Sequence, residues 1–117
     1  MSQAPEDMTK FQKNNPGLLK QLVDLLVDAA HPRRIILFGS HTRGDHSPES
    51  DLDVIVVLDE VNDRMDEMVR LRRVLAPIKM PIDVLVYSES DIRERGHWPG
   101  TVLHEALTEG WTLYGNL

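Results

Sequence analysis

The sequence predicts an α/β (α+β) domain: a small sheet of three to four strands flanked by four to five helices. Two observations support this class. Apolar residues recur at helical spacing in several segments, and short β-branched runs bounded by turn residues separate those segments. With 117 residues, the chain is long enough for one domain with a buried core, which we place at residues 16–117. Residues 1–15 are polar and lack apolar periodicity, so we expect a flexible N-terminal leader there.

Four segments are predicted to form β-strands. They are Arg34 to Phe38, Asp51 to Leu58, Ile82 to Tyr87, and Trp111 to Tyr114, the last being a closing strand or an extended tail. The second is the strongest, because both of its faces are apolar beyond its acidic start. A strand of this kind is typically central in its sheet and covered on both sides.

Helices are predicted between these strands. An apolar stripe begins at Leu18 and ends before His31, which precedes a proline and therefore disfavours the α region. Asn62 or Asp63 can cap a second helix. Ser88 opens a capping-box pattern, and Thr101 starts a last helix.

The composition argues against several classes of protein and kinds of site. The formal charge is −6, with 19 acidic and 13 basic residues, which argues against direct nucleic-acid binding through a basic surface. No apolar run approaches the roughly 20 residues of a membrane span. There is no cysteine, which excludes disulfides and thiolate metal sites. We expect a cytoplasmic protein.

A polar constellation interrupts the apolar strands. Gly39-Ser40 follow the first strand, and ten residues later the second begins with Asp51-Leu52-Asp53. Asp51 and Asp53 are two residues apart, so their side chains leave one face of the strand. Asp83 starts the third strand and reaches the same place if that strand is the neighbour.

Each part of this constellation has an ordinary explanation as a turn, a cap or a strand end. The combination is different, because buried carboxylates without a partner are costly. We therefore interpret the three aspartates as ligands of Mg²⁺, an ion that favours oxygen donors. The glycine lets the backbone approach a phosphate, and Arg43, one turn later, could reach phosphate oxygens.

The string from Phe38 to Gly44, followed by Ser50-Asp51-Leu52-Asp53 and Asp83, resembles the DNA polymerase β-like nucleotidyltransferase superfamily. Within that superfamily it resembles the minimal nucleotidyltransferase (MNT) group, the MntA-like antitoxins of HEPN/MNT toxin–antitoxin pairs. The resemblance covers about residues 18–115. It implies the nucleotidyltransferase fold, with a mixed sheet.

The resemblance also implies site roles. Gly39 and Ser40 would hold the triphosphate of ATP, with Arg43 and Ser50 as further nucleotide-binding residues. Asp51 and Asp53 would bind two Mg²⁺ ions. Asp83 would bind the catalytic ion and help take a proton from the acceptor hydroxyl. The acceptor would attack the α-phosphate of ATP, gain AMP and release pyrophosphate.

The acceptor of the AMP group is the least defined part of the predicted reaction. Larger relatives append a helical domain for it, whereas this chain stops at Leu117, so the resemblance implies a separate HEPN ribonuclease toxin modified on tyrosine. The alternatives are a binding module that neutralises its partner without chemistry, and a small-molecule adenylyltransferase working as a homodimer. Trp98 is expected to cover the core rather than to contact a partner or adenine.

Overall fold

A computed structural model describes residues 6–39, 42 and 51–115 of the chain. In this part of the chain the helices are α1 (Glu6–Asn14), α2 (Leu18–Ala30), α3 (Arg64–Val74), α4 (Glu89–Arg95) and α5 (Val102–Glu109). The strands are β1 (Arg34–Phe38), β2 (Leu52–Leu58), β3 (Ile82–Ser88) and β4 (Trp111–Tyr114). The predicted class and the predicted numbers of strands and helices are confirmed.

The four strands form one mixed sheet in the order β3-β2-β1-β4. β2 and β3 are parallel, while β1 is antiparallel to both of its neighbours. The last predicted segment is therefore a closing strand, paired with β1.

β2 lies inside the sheet and is covered on both faces, as predicted. Val54 and Val56 belong to the larger core, which also contains buried residues of α2 and α3. Ile55 and Val57 belong to a second apolar cluster that packs against Leu103 of α5. Burial of both faces explains why this strand reads as a nearly continuous apolar run.

The helix ends follow their local signals. His31, at φ 47°, ends α2 in the left-handed conformation, and its N–H donates to the Val27 carbonyl. Asp63, rather than Asn62, caps α3 by accepting a hydrogen bond from the Asp66 N–H at 3.1 Å. Within the described ranges, no helix has the length and apolar character needed to cross a membrane.

The expectation of a flexible leader is wrong for residues 6–14. These residues form α1, and Phe11 is buried, with only 8% of its surface exposed. Its ring meets Trp111 of β4 edge to face, with centroids 6.3 Å apart. Phe11 packs against a partner a hundred residues away in the chain. Because α1 is held by long-range contacts of this kind, its own sequence shows little apolar periodicity.

We expect Phe11→Ala to lower the free energy of unfolding by about 3 kcal/mol, because truncating a buried phenylalanine leaves a cavity. Urea denaturation followed by circular dichroism measures the change. The control is Gln12→Ala, an exposed residue of the same helix, which should stay within about 0.5 kcal/mol of wild type. Equal effects of the two variants would mean that α1 does not belong to the folded core.

Asp91 organises the start of α4. Its carboxylate accepts from the Ser88 N–H at 2.9 Å, while its own N–H donates to the Ser88 hydroxyl at 3.1 Å, which completes the predicted capping box. Arg95 and Arg64 also donate to this carboxylate. Partial burial acts to raise the pKa of Asp91, but these hydrogen bonds and the Arg64 charge together hold that pKa below its usual value.

A lowered pKa means that the unfolded state binds the Asp91 proton more tightly than the folded state does. The stability that Asp91 contributes is therefore complete above the unfolded pKa of about 3.9 and is lost as pH falls through the lower folded value. We expect Asp91→Ala to cost about 1 kcal/mol at pH 7 and to converge on wild type in strong acid. Urea titrations between pH 7 and pH 2 test this; a gap that stays constant across the range would contradict it.

Candidate functional site

Gly39 directly follows β1 and lies close to the carboxylate of Asp53. Its φ is +91°, and a Cβ added there would lie 2.3 Å from Asp53 Oδ2. Both the backbone conformation and the close approach therefore require glycine. Thr42 donates to the Gly39 carbonyl through its N–H at 3.1 Å and through its hydroxyl at 2.8 Å. Thr42 therefore lies close to the end of β1.

Strand register places Asp53 and Asp83 side by side. Asp53 pairs with Phe38 across the antiparallel β1–β2 ladder and with Asp83 across the parallel β2–β3 ladder. Side chains at paired positions leave the same face of a sheet. The expectation that the third aspartate reaches the same place as the second is confirmed.

These residues surround a depression of about 420 Å³ at the edge of the sheet, which we call the strand-edge depression. Its lining residues are Phe38, Gly39, Asp53, Met68, Arg72, Asp83, Val84, Leu85, Val102 and Glu105. Its volume lies in the range of small-molecule sites. The mixture of apolar walls with two paired carboxylates suits a ligand that carries both an aromatic ring and a metal-bound anion.

A larger depression of about 1370 Å³ lies at the other end of β1 and β2. Its charged lining includes Arg34 and Glu89, which pair with each other at 3.4 Å. Of the predicted site residues that the structure describes, none lines this depression. We therefore assign the candidate site to the smaller depression, where Gly39, Asp53 and Asp83 lie together.

Asp51 takes a different position from the other two aspartates. It immediately precedes β2, is exposed, and does not line the strand-edge depression. Ser40, Arg43 and Ser50 lie outside the described residues. The predicted roles of these four residues stay predictions.

The expectation that the three carboxylates are buried and without a partner is wrong. Asp51 is exposed because it precedes the strand. The Asp83 side chain, at the start of β3, is 55% exposed, and its Oδ1 lies 3.5 Å from the Arg72 guanidinium. The case for a metal site therefore rests on the pairing of Asp53 with Asp83 and not on the cost of burial.

The paired carboxylates fit Mg²⁺ in one respect. Across the part of the chain that the structure describes, no group of three Asp, Glu, His or Cys side chains is close enough to hold a metal. Mg²⁺, however, commonly takes only one or two carboxylates, together with water and substrate phosphates. Asp53 and Asp83 provide that number of ligands.

Sequence reasoning missed two charged residues of the depression, Arg72 and Glu105. Arg72 lies on α3 within a run of basic residues that reads as a solvated helix face. Glu105 lies in the first turn of α5. No motif spacing links either residue to the aspartates, because their approach depends on how the two helices pack against the sheet.

The expectation that Trp98 covers the core is also wrong. Its side chain is 51% exposed, and its ring meets His97 at a centroid distance of 6.5 Å. Val102, which lines the strand-edge depression, is 46% exposed. Both residues therefore present apolar surface to solvent, and Val102 does so at the depression itself.

Comparison with known proteins matches residues 20–116 to the polymerase β nucleotidyltransferase family. MJ0604 of Methanocaldococcus jannaschii, provisionally named a protein adenylyltransferase, is 31% identical over 103 residues, 86% of this chain and 99% of that protein. A solved toxin–antitoxin structure with AMP-PNP has a TM-score of 0.63 at 24% identity, covering 84% of this chain and 73% of that chain. A mutant of the toxin–antitoxin pair MntA–HpeT has a TM-score of 0.62 at 22% identity, with the same coverage. The two solved structures show that the fold is shared.

We expect Gly39→Ala to lower the free energy of unfolding by about 3 kcal/mol, since it adds a clash with Asp53 to a strained φ. The matched control is Gly100→Ala, because Gly100 has a similar φ of +84° but nothing within 4 Å of an added Cβ. That variant should cost about 1 kcal/mol, from backbone strain alone. Urea denaturation of both variants separates the two contributions, and equal losses would contradict the close packing of Gly39 on Asp53.

Proposed function

Because this chain belongs to the polymerase β nucleotidyltransferase family, we propose that it transfers AMP from ATP to a tyrosine of a HEPN ribonuclease toxin and so acts as its antitoxin. The observation that carries the proposal is the pairing of Asp53 with Asp83 in the strand register. Gly39 lies close to Asp53 and lines the same depression. In this proposal Gly39 contributes to phosphate binding, and Asp53 and Asp83 contribute oxygen ligands beside it.

In the proposed reaction the tyrosine oxygen forms a bond to the α-phosphorus of ATP. The bond from that phosphorus to the bridging oxygen breaks, and pyrophosphate leaves. Asp83, on the exposed edge strand, accepts the tyrosine proton. The backbone turn after Gly39, with Ser40, Arg43 and Ser50, orients the triphosphate. Catalysis arises mainly from positioning and from neutralisation of charge.

Asp53 and Asp83, joined by Asp51 from the start of β2, are the residues that would hold Mg²⁺. When bound, two such ions would stabilise the developing charge on the attacking and leaving oxygens. This assignment draws on the oxygen chemistry of the donor set and on the two adjacent carboxylates.

Three observations support a protein acceptor. The relative MJ0604 carries the provisional name of a protein adenylyltransferase, and solved structures that share the fold are of toxin–antitoxin pairs, one with AMP-PNP. The structure adds the exposed Trp98, and Val102 at the depression, since exposed tryptophan is typical of protein interfaces. The need for ATP and a ribonuclease partner places the proposed reaction in the cytoplasm.

The same apolar surface favours a second candidate function. A module that neutralises a toxin by complex formation would also use Trp98 and Val102, and would not depend on the carboxylates. The two candidates differ in one respect only: whether AMP transfer is required.

The test uses the purified protein, a candidate HEPN protein from the same organism, Mg²⁺ and ATP labelled on the α-phosphate. We expect label on the HEPN protein, a mass increase of one AMP, and assignment to tyrosine by peptide mass spectrometry. Asp53→Asn should reduce the rate by at least about 100-fold, because it removes a carboxylate that would hold the metal ion at the reacting phosphate. Asp59→Asn, an exposed carboxylate at the far end of β2, serves as the control and should leave the rate unchanged.

The toxin assay separates the alternatives. If wild type transfers no label while Asp53→Asn still neutralises the ribonuclease, the enzyme proposal fails and the binding module is correct. Label on a small molecule, with none on protein, would instead identify a small-molecule adenylyltransferase.

A further inference from the structure

Arg72 reaches the candidate site from a helix that has no motif residue. It lies in the last turn of α3, which packs against the edge strand β3. Its Nη2 lies 3.5 Å from Asp83 Oδ1, and its side chain lines the strand-edge depression together with Asp53. One guanidinium group therefore lies beside the two carboxylates that the proposed function assigns to metal binding.

The contact between Arg72 and Asp83 is weak and reversible. Both side chains are more than half exposed, at 58% and 55%, and the distance is at the long end for an ion pair. Exposed pairs of this kind contribute little to stability, because solvent screens them and ordering two side chains costs entropy. Stabilisation of the fold is therefore a poor explanation for this placement of Arg72.

The neighbouring arginines of α3 are arranged differently. Arg70 donates to Glu67 and to the Ala29 carbonyl, the latter at 3.0 Å, so it joins α3 to the end of α2. Arg73 is exposed and is not part of the lining of the depression. Within this basic run, the described contacts distinguish Arg72 as the cation directed at the site.

We propose that Arg72 is a nucleotide-positioning residue that pairs with Asp83 in the ligand-free protein and moves to the phosphates of the bound nucleotide. This inference rests on the proposed function, because it assumes a metal–nucleotide complex in the depression. The planar guanidinium donates two parallel hydrogen bonds to phosphate oxygens, which fixes orientation as well as charge. A divalent cation that binds Asp83 removes the partner of Arg72, and the anionic phosphates replace it.

This exchange predicts effects of opposite sign at two stages of binding. In the absence of nucleotide, Arg72 competes with a divalent cation for Asp83, so removing its charge strengthens cation binding. In the presence of nucleotide, Arg72 binds the phosphates, so removing its charge weakens nucleotide binding. A residue that only supports the fold would change both affinities in the same direction.

The experiment compares Arg72→Gln with Arg73→Gln, which removes the same charge from the adjacent exposed position of α3. Titration calorimetry measures Mn²⁺ binding alone and then AMP-PNP binding at saturating Mg²⁺. We expect Arg72→Gln to bind Mn²⁺ about two- to fivefold more tightly, in keeping with the loss of an exposed ion pair. It should bind AMP-PNP about tenfold more weakly, in keeping with the loss of a charge-assisted hydrogen bond. Arg73→Gln should match wild type in both titrations.

Each other outcome overturns the proposal at a definite point. Equal affinities of Arg72→Gln and Arg73→Gln, with normal binding by wild type, would reject the role of Arg72 and leave the proposed function intact. Loss of both affinities in Arg72→Gln alone would assign the residue to maintenance of the fold. Failure of wild type to bind Mn²⁺ and AMP-PNP would reject the proposed function, and this inference with it.

Discussion

The parallel pairing of β2 with β3 is the constraint on which the rest of this structure depends. β2 is buried on both faces, and its alternate residues pack into two different apolar clusters, so a one-residue slip would move each set into the wrong cluster. That register places Asp53 opposite Asp83, and the antiparallel pairing with β1 brings the end of β1 to the same place. The stability of the core and the geometry of the site thus have a common origin.

The exposure of Asp83 determines how open the site is. Asp83 lies at the start of β3, where its side chain is 55% exposed and within reach of Arg72, whereas Val84 and Val86 of the same strand are buried. An exposed carboxylate is accessible to a large acceptor. A nucleotidyltransferase that modifies another protein requires such access, and the exposed Val102 at the depression extends the accessible surface.

Local patterns predicted most of the fold. The limits of β1 and the capping box at Ser88 follow from short-range sequence signals and match the structure. The prediction failed for α1, because long-range packing, including the contact of Phe11 with Trp111, holds this segment in place. The prediction for Trp98 was wrong for a related reason: the apolar character of a residue does not show whether another part of the chain covers it. Both errors concern contacts between segments far apart in the chain.

The chemical groups of the site could be predicted from the sequence alone. They are a glycine after one strand, an Asp-x-Asp motif at the start of the next, and a third aspartate in a later strand. Those elements are local, and backbone conformation and strand alternation place them without reference to the remainder of the chain. Only the tertiary structure decided that Asp53 and Asp83 are neighbours, that Asp51 lies outside the depression, and that Arg72 and Glu105 line it. Strand order and helix packing set these distances, and both depend on burying the apolar faces of segments that are remote in sequence.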